Sequence, residues 1–171
     1  MQPKIIIHGG FFSESSDSEE IKIAKQNSMK RIVTNAYNFL QNKTALETVV
    51  YAVSLLEDCD LFNAGLGSQI QSDGKIRMSA SIMDGNSKKF SGVINIENVK
   101  NPVVVAEKLL SVTDSVLSGS EAQDFARKHG FNYYNPETPS RKHSFIEKLN
   151  ETMRMGTVGC VALDAEGKLA V

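Results

Sequence analysis

The chain has 171 residues, 41% of them hydrophobic and 23% charged, an ordinary globular composition with material for one sizeable core. Its 19 basic and 20 acidic residues are interspersed and leave a formal charge of -1, which excludes a nucleic-acid footprint or polybasic membrane patch and favours a small molecule or another chain as partner. No apolar run approaches the roughly 20 residues of a transmembrane helix, and one lysine before three isoleucines does not make a signal peptide, so a cytoplasmic chain is expected.

Lys4 to Ile7 reads as a buried strand that ends in His8-Gly9-Gly10, delivering a glycine loop at its C-terminal end. Phe11 to Ser18 is a serine-rich loop. From Glu19, apolar residues recur with helical spacing at Ile21, Ala24, Met29, Ile32, Val33, Ala36, Phe39 and Leu40. Thr44 with Glu47 forms a capping-box pattern, and Leu46, Val49, Val50, Val53 and Leu56 mark a second helix ending near Asp58. Asp73-Gly74 supplies a turn, and Gly74 to Met83 alternates apolar and polar residues as a strand does. Ser91 to Ile96 is its hairpin partner across Asp84-Gly85-Asn86. Asn101-Pro102 opens a third helix, as N-cap and first helical residue, which runs to about Ser111.

Ser120 to His129 is a short helix closed by Gly130, and Pro136 to Met155 is polar and lysine-rich, with helical patches. Thr157 to Leu163 is a strand, Asp164 to Gly167 a turn, and Lys168 to Val171 opens another strand. There is no internal repeat. Strands and helices come in runs rather than strict alternation, which argues for an α+β fold. Two cysteines, Cys59 and Cys160, make no disulfide framework and read as small buried hydrophobes.

The segment Gly156-Thr157-Val158-Gly159 carries the chemistry. Alone it reads first as turn residues entering a strand. If the bond before Thr157 breaks, however, one residue holds both a hydroxyl nucleophile and an α-amine that titrates at about 7.7 to 8.0, close enough to neutrality to accept the hydroxyl proton. Gly65-Leu66-Gly67 is no dinucleotide fingerprint, since Ile70 stands where a third glycine belongs. The histidines and cysteines lack zinc-type spacing, so no catalytic metal is expected.

Four blocks in order, Ile7-His8-Gly9-Gly10, Leu61 to Ser68, Asp73-Gly74 with Ser81 to Gly85, and Gly156 to Asp164, resemble the precursor of a plant-type L-asparaginase or isoaspartyl peptidase, an N-terminal-nucleophile hydrolase. The resemblance implies a four-layer αββα sandwich, incomplete at the C-terminus. It divides the chain into an α-subunit region at 1–156, with 131–156 a mobile linker, and the truncated start of a β-subunit at 157–171.

The same resemblance implies self-cleavage between Gly156 and Thr157, then attack by Thr157 on the side-chain amide of L-asparagine or the isopeptide bond of β-aspartyl dipeptides. Asn63 would orient the nucleophile, with Gly9 and Gly10 in the loop beside it, whereas His8 reads as structural. A sodium ion would sit in the backbone carbonyls of Leu56, Glu57, Cys59, Phe62, Ala64 and Leu66, with no catalytic cofactor. Relatives assemble from α and β subunits, and their substrate clamp and oxyanion donors lie beyond Val171. Alternatives are an inactive remnant that pairs with a full-length relative, and a glycosylasparaginase-type amidase. The chain departs from the family pattern at Phe11-Phe12, bulky beside the nucleophile loop, and at Arg77 and Ser79, where acidic residues are usual. A chain lacking half its core is further expected to expose apolar faces and associate.

Overall fold

The computed structural model describes residues 2–10, 18–112, 115–148 and 158–171. Strands β1 (Lys4–His8), β2 (Met78–Asp84), β3 (Lys89–Ile96), β4 (Val116–Ser118), β5 (Gly159–Leu163) and β6 (Leu169–Ala170) form one mixed sheet in the order β1-β5-β6-β2-β3-β4. Every pairing is antiparallel except β3 with β4. The helices are α1 (Glu19–Leu40), α2 (Ala45–Glu57), α3 (Pro102–Leu109), α4 (Gly119–Lys128) and α5 (Pro139–Lys148). The α+β class is therefore observed.

The starts of α1 and α2 have local causes. Ser18 accepts a hydrogen bond from the Ile21 N–H, and Thr44 and Glu47 satisfy each other's backbone N–H groups in a complete capping box. Helix α1 then turns Ile32, Ala36 and Leu40 inward, and α2 buries Ala45, Val49, Ala52 and Leu56. Helix α2 packs on β5 and β6, α3 on β2 and β3, and α4 on β3 and β4, while α1 lies against α2 and β1. The Ser91 hydroxyl donates to the Ala106 carbonyl at 2.6 Å, tying the middle of the sheet to α3.

Strand β2 begins at Met78, not at Gly74. Residues 71–75 close on themselves instead: the Gln71 N–H donates to the Lys75 carbonyl and the Gly74 N–H to the Gln71 carbonyl, both at 2.8 Å, which withdraws that backbone from the sheet ladder. Strand β4 was not foreseen. It is three residues long and carries no readable alternation.

The sheet's two faces differ. Ile5, Ile7, Cys160, Ala162, Ile82 and Val93 point toward the helices. On the opposite face Ile6, Met83, Phe90, Ile94, Val161 and Leu169 are each at least 40% exposed. An apolar sheet face left open on this scale is unusual for a self-sufficient domain. The expectation of exposed apolar surface is met. Cys160 is buried as expected, but Cys59 is only half-buried, because it lies in the loop after α2 rather than on an inward-facing element.

Candidate functional site

The register of β1 against β5 places His8 opposite Gly159 and Ile7 opposite Cys160. Gly9-Gly10 thus leaves the sheet at the same end at which Val158 enters it. Gly9 packs closely: a methyl group on its Cα would stand 2.8 Å from Met29 Sδ and 3.1 Å from a ring carbon of Phe62. Gly10 has φ 115°, a backbone region that favours glycine. Phe62 is buried with Ile32 and Leu56, and Val158 packs against that cluster. The structure therefore brings Gly9, the residue before Asn63, and the residue after Thr157 to one place. Gly156, Thr157, Phe11 and Phe12 lie outside the described residues.

Asn63 sits in the loop between α2 and a single 3-10 turn, Gly65–Gly67. Its Oδ1 accepts from the Gln69 N–H at 2.9 Å, which spans that turn and fixes the side chain. A hollow of about 1020 Å³ is lined by Asn63, Gly65, Gln69, Ser81, Val158 and Gly159, among others. It runs on across Phe90, Ile94, Val116 and Val171 of the open sheet face, so it is a groove over the sheet rather than an enclosed pocket.

The loop folds tightly. The Cys59 N–H donates to Leu56, the Phe62 N–H to Cys59 and the Gly67 N–H to Ala64, at 3.0 to 3.2 Å. A methyl group on Gly65 would meet the Glu57 carbonyl oxygen at 2.2 Å, and one on Gly67 would meet those of Phe62 at 2.0 Å and Asp60 at 2.7 Å. The Glu57, Phe62 and Asp60 carbonyls thus lie tight against the glycines of the turn, and those of Leu56, Cys59 and Ala64 each accept a backbone N–H within the loop. Among the described residues there is no cluster of His, Cys, Asp and Glu able to hold a metal ion.

One acid here went unrecognised by its side chain. Glu57 is buried, its Oε1 accepts from the Val103 N–H at 3.1 Å, and its Oε2 makes no direct hydrogen bond among the described residues, with the Asn101 amide nearby. Burial pushes its carboxyl up to about 8, against the pull of the Val103 N–H and the Asn101 amide. Asn101, expected to cap α3, makes no side-chain cap bond. Its amide instead bonds Asp58 Oδ1 at 3.0 Å and the Ser54 carbonyl at 3.4 Å, leaving Glu57 to satisfy the α3 N-terminus. A signal was available in Glu57-Asp58, two acids at the C-terminal end of a helix, where the dipole disfavours negative charge.

The departures at Arg77 and Ser79 are accommodated locally. Arg77 pairs with Asp73 at 2.7 Å and Glu97 at 3.2 Å, and bonds Gln71 at 2.7 Å. The Ser79 hydroxyl accepts from the Asn95 N–H at 3.2 Å, where Asn95 takes φ 54° at an irregularity in the β2–β3 register.

The asparaginase family model, Asparaginase_2, matches residues 1–171. An isoaspartyl peptidase/L-asparaginase of Synechocystis sp. is 40% identical over 99% of this chain and 56% of its own length. A plant-type L-asparaginase of Pyrococcus furiosus is 36% identical over 95% of this chain and 60% of its own, and an isoaspartyl peptidase of Salmonella typhimurium is 34% identical over 97% and 60%. The chain spans a little over half the length of these curated relatives. Among the described residues, no helix is long and apolar enough to cross a membrane.

Proposed function

The chain belongs to the asparaginase family, and on that premise we propose that it is the nucleophile-bearing part of a self-cleaving amidohydrolase acting on L-asparagine or β-aspartyl dipeptides. The observation that carries this reading is the meeting of Gly9, Phe62 and Val158 at one end of the sheet, which sets three separated sequence blocks around the start of β5. The names of the relatives supply the substrate class.

In the proposed mechanism the Thr157 hydroxyl first attacks the Gly156 carbonyl. The acyl group passes from nitrogen to oxygen, which breaks the peptide C–N bond and frees the Thr157 amine, and water then cleaves the resulting ester, releasing the hydroxyl and leaving a carboxylate on Gly156. That amine then takes the proton of its own hydroxyl, the oxygen attacks the substrate's side-chain amide carbon, and ammonia or an amino acid leaves. Water hydrolyses the acyl-enzyme and regenerates the hydroxyl. Asn63, held by Gln69, orients the nucleophile. Gly9 and Gly10 let backbone approach it without a side chain in the way.

The carbonyls of Leu56, Glu57, Cys59, Phe62, Ala64 and Leu66 would hold sodium, which supplies charge to keep the loop oxygens together. The open apolar sheet face is where the second sheet of a four-layer αββα sandwich would pack, and its exposure supports that architecture. A boundary between α and β subunit regions at 156/157 follows from the cleavage. The test is to supply the C-terminal portion of a relative and follow chain mass together with ammonia release from asparagine.

The open face also supports a second reading, in which the chain binds a full-length relative without turnover. An uncleaved chain that stays silent after complementation supports it.

A further inference from the structure

Glu57 is surrounded by three elements. It is the last residue of α2; Gly65, two residues beyond Asn63, lies directly on its carbonyl and Cβ; and its carboxyl reaches across to the first turn of α3. A methyl on Gly65 would stand 2.6 Å from Glu57 Cβ, so the turn that follows Asn63 rests on this residue with no space between them. The carboxyl satisfies the Val103 N–H, a donor that α3 cannot satisfy itself. The cost is a buried Oε2 with no hydrogen bond among the described residues, where an apolar side chain of similar size would bury without that loss.

We propose that Glu57 is a positioning residue, whose bond to the Val103 N–H locks the end of α2 against α3 and thereby fixes the Gly65–Gly67 turn and the placement of Asn63. The role of Asn63 rests on the proposed function. The mechanical claim does not, because α3, the turn and α2 meet at Glu57 whatever the chemistry. Glutamine keeps the accepting oxygen, leucine removes it, and Val103→Pro removes the donor from the other side of the bond, while also restricting Pro102 before it.

The test is hydrogen exchange by mass spectrometry on the full chain, with peptides covering 58–68 and 101–105. In E57L and V103P both segments should exchange about tenfold faster together while β1 and β5 keep their rates, and E57Q should match the original chain. If V103P leaves 58–68 unchanged, or E57Q opens the loop as far as E57L, the proposal is overturned. In the complemented enzyme E57L should lower kcat by about a hundredfold with KM little changed, and E57Q should restore it. A complemented chain that shows no turnover refutes the proposed function and leaves the exchange result to decide this one.

Discussion

Gly67 lies against Phe62 so closely that a methyl group on its Cα would stand 2.0 Å from the Phe62 carbonyl oxygen. Backbone meets backbone there, so no side chain can swing aside. Gly67→Ala should therefore destabilise the chain by about 3 kcal/mol, the upper part of the range for overpacking. Gly74 is the contrast, with φ 80° but open space around its Cα, and Gly74→Ala should cost about 1 kcal/mol from backbone conformation alone. Urea unfolding midpoints measure both. Equal shifts would show that the loop yields where it is described as closed.

The capping box of α2 gives a pH prediction. The Thr44 backbone N–H, with the Lys43 and Thr44 side chains, holds the Glu47 carboxyl below its ordinary 4.5. A depressed acid stabilises the fold fully above its unfolded value, and that contribution disappears as pH falls through the folded value. Glu47→Gln should therefore flatten the acid limb of a stability-against-pH curve. Thr44→Ala should cost about 1 kcal/mol at neutral pH. A Glu47→Gln curve that overlays the original below pH 5 contradicts the assignment.

The two cysteines should separate by reactivity. Burial pushes the Cys160 thiol up to about 12, while Cys59 is half-exposed in the loop after α2. Iodoacetamide at mildly alkaline pH should label Cys59 in the folded chain and reach Cys160 only in denaturant. Peptide mapping after timed labelling reads this directly, and equal rates would mean that β5 is open.

The bare sheet face predicts association of the chain by itself. Phe90 and Ile94 lie on the open face of β3, both nearly half exposed. Replacing both with lysine should lower light scattering without changing the helix signal in circular dichroism. A clean, cooperatively melting monomer before any substitution would contradict the role given to this face.

Much of this architecture is legible where short-range chemistry decides it. Thr44 and Glu47 announce α2, the three-residue spacing of a capping box being a local pattern, and the inward residues of α1 follow from periodicity. The β2–β3 hairpin is legible from Asp84-Gly85. What escaped depends on distant partners. Strand β4 exists because Val116 to Ser118 finds the free edge of β3, a pairing invisible in three residues. Asn101 does not cap α3 because Glu57, 44 positions earlier, reaches Val103 first, and Asn101 turns to Asp58 instead. At the candidate site, the blocks around Gly9, Asn63 and Val158 could be named from sequence. Their convergence on Phe62 required the register of β1 against β5.

In the proposed mechanism Thr157 becomes the nucleophile by cleavage of the bond before it. Intact mass of the chain, complemented with the C-terminal portion of a relative and assayed in parallel for ammonia release from asparagine, tests it most directly. The expected result is a fragment ending at Gly156, a new N-terminal Thr157 and turnover, with Thr157→Ala both uncleaved and silent. Turnover that survives Thr157→Ala would contradict it.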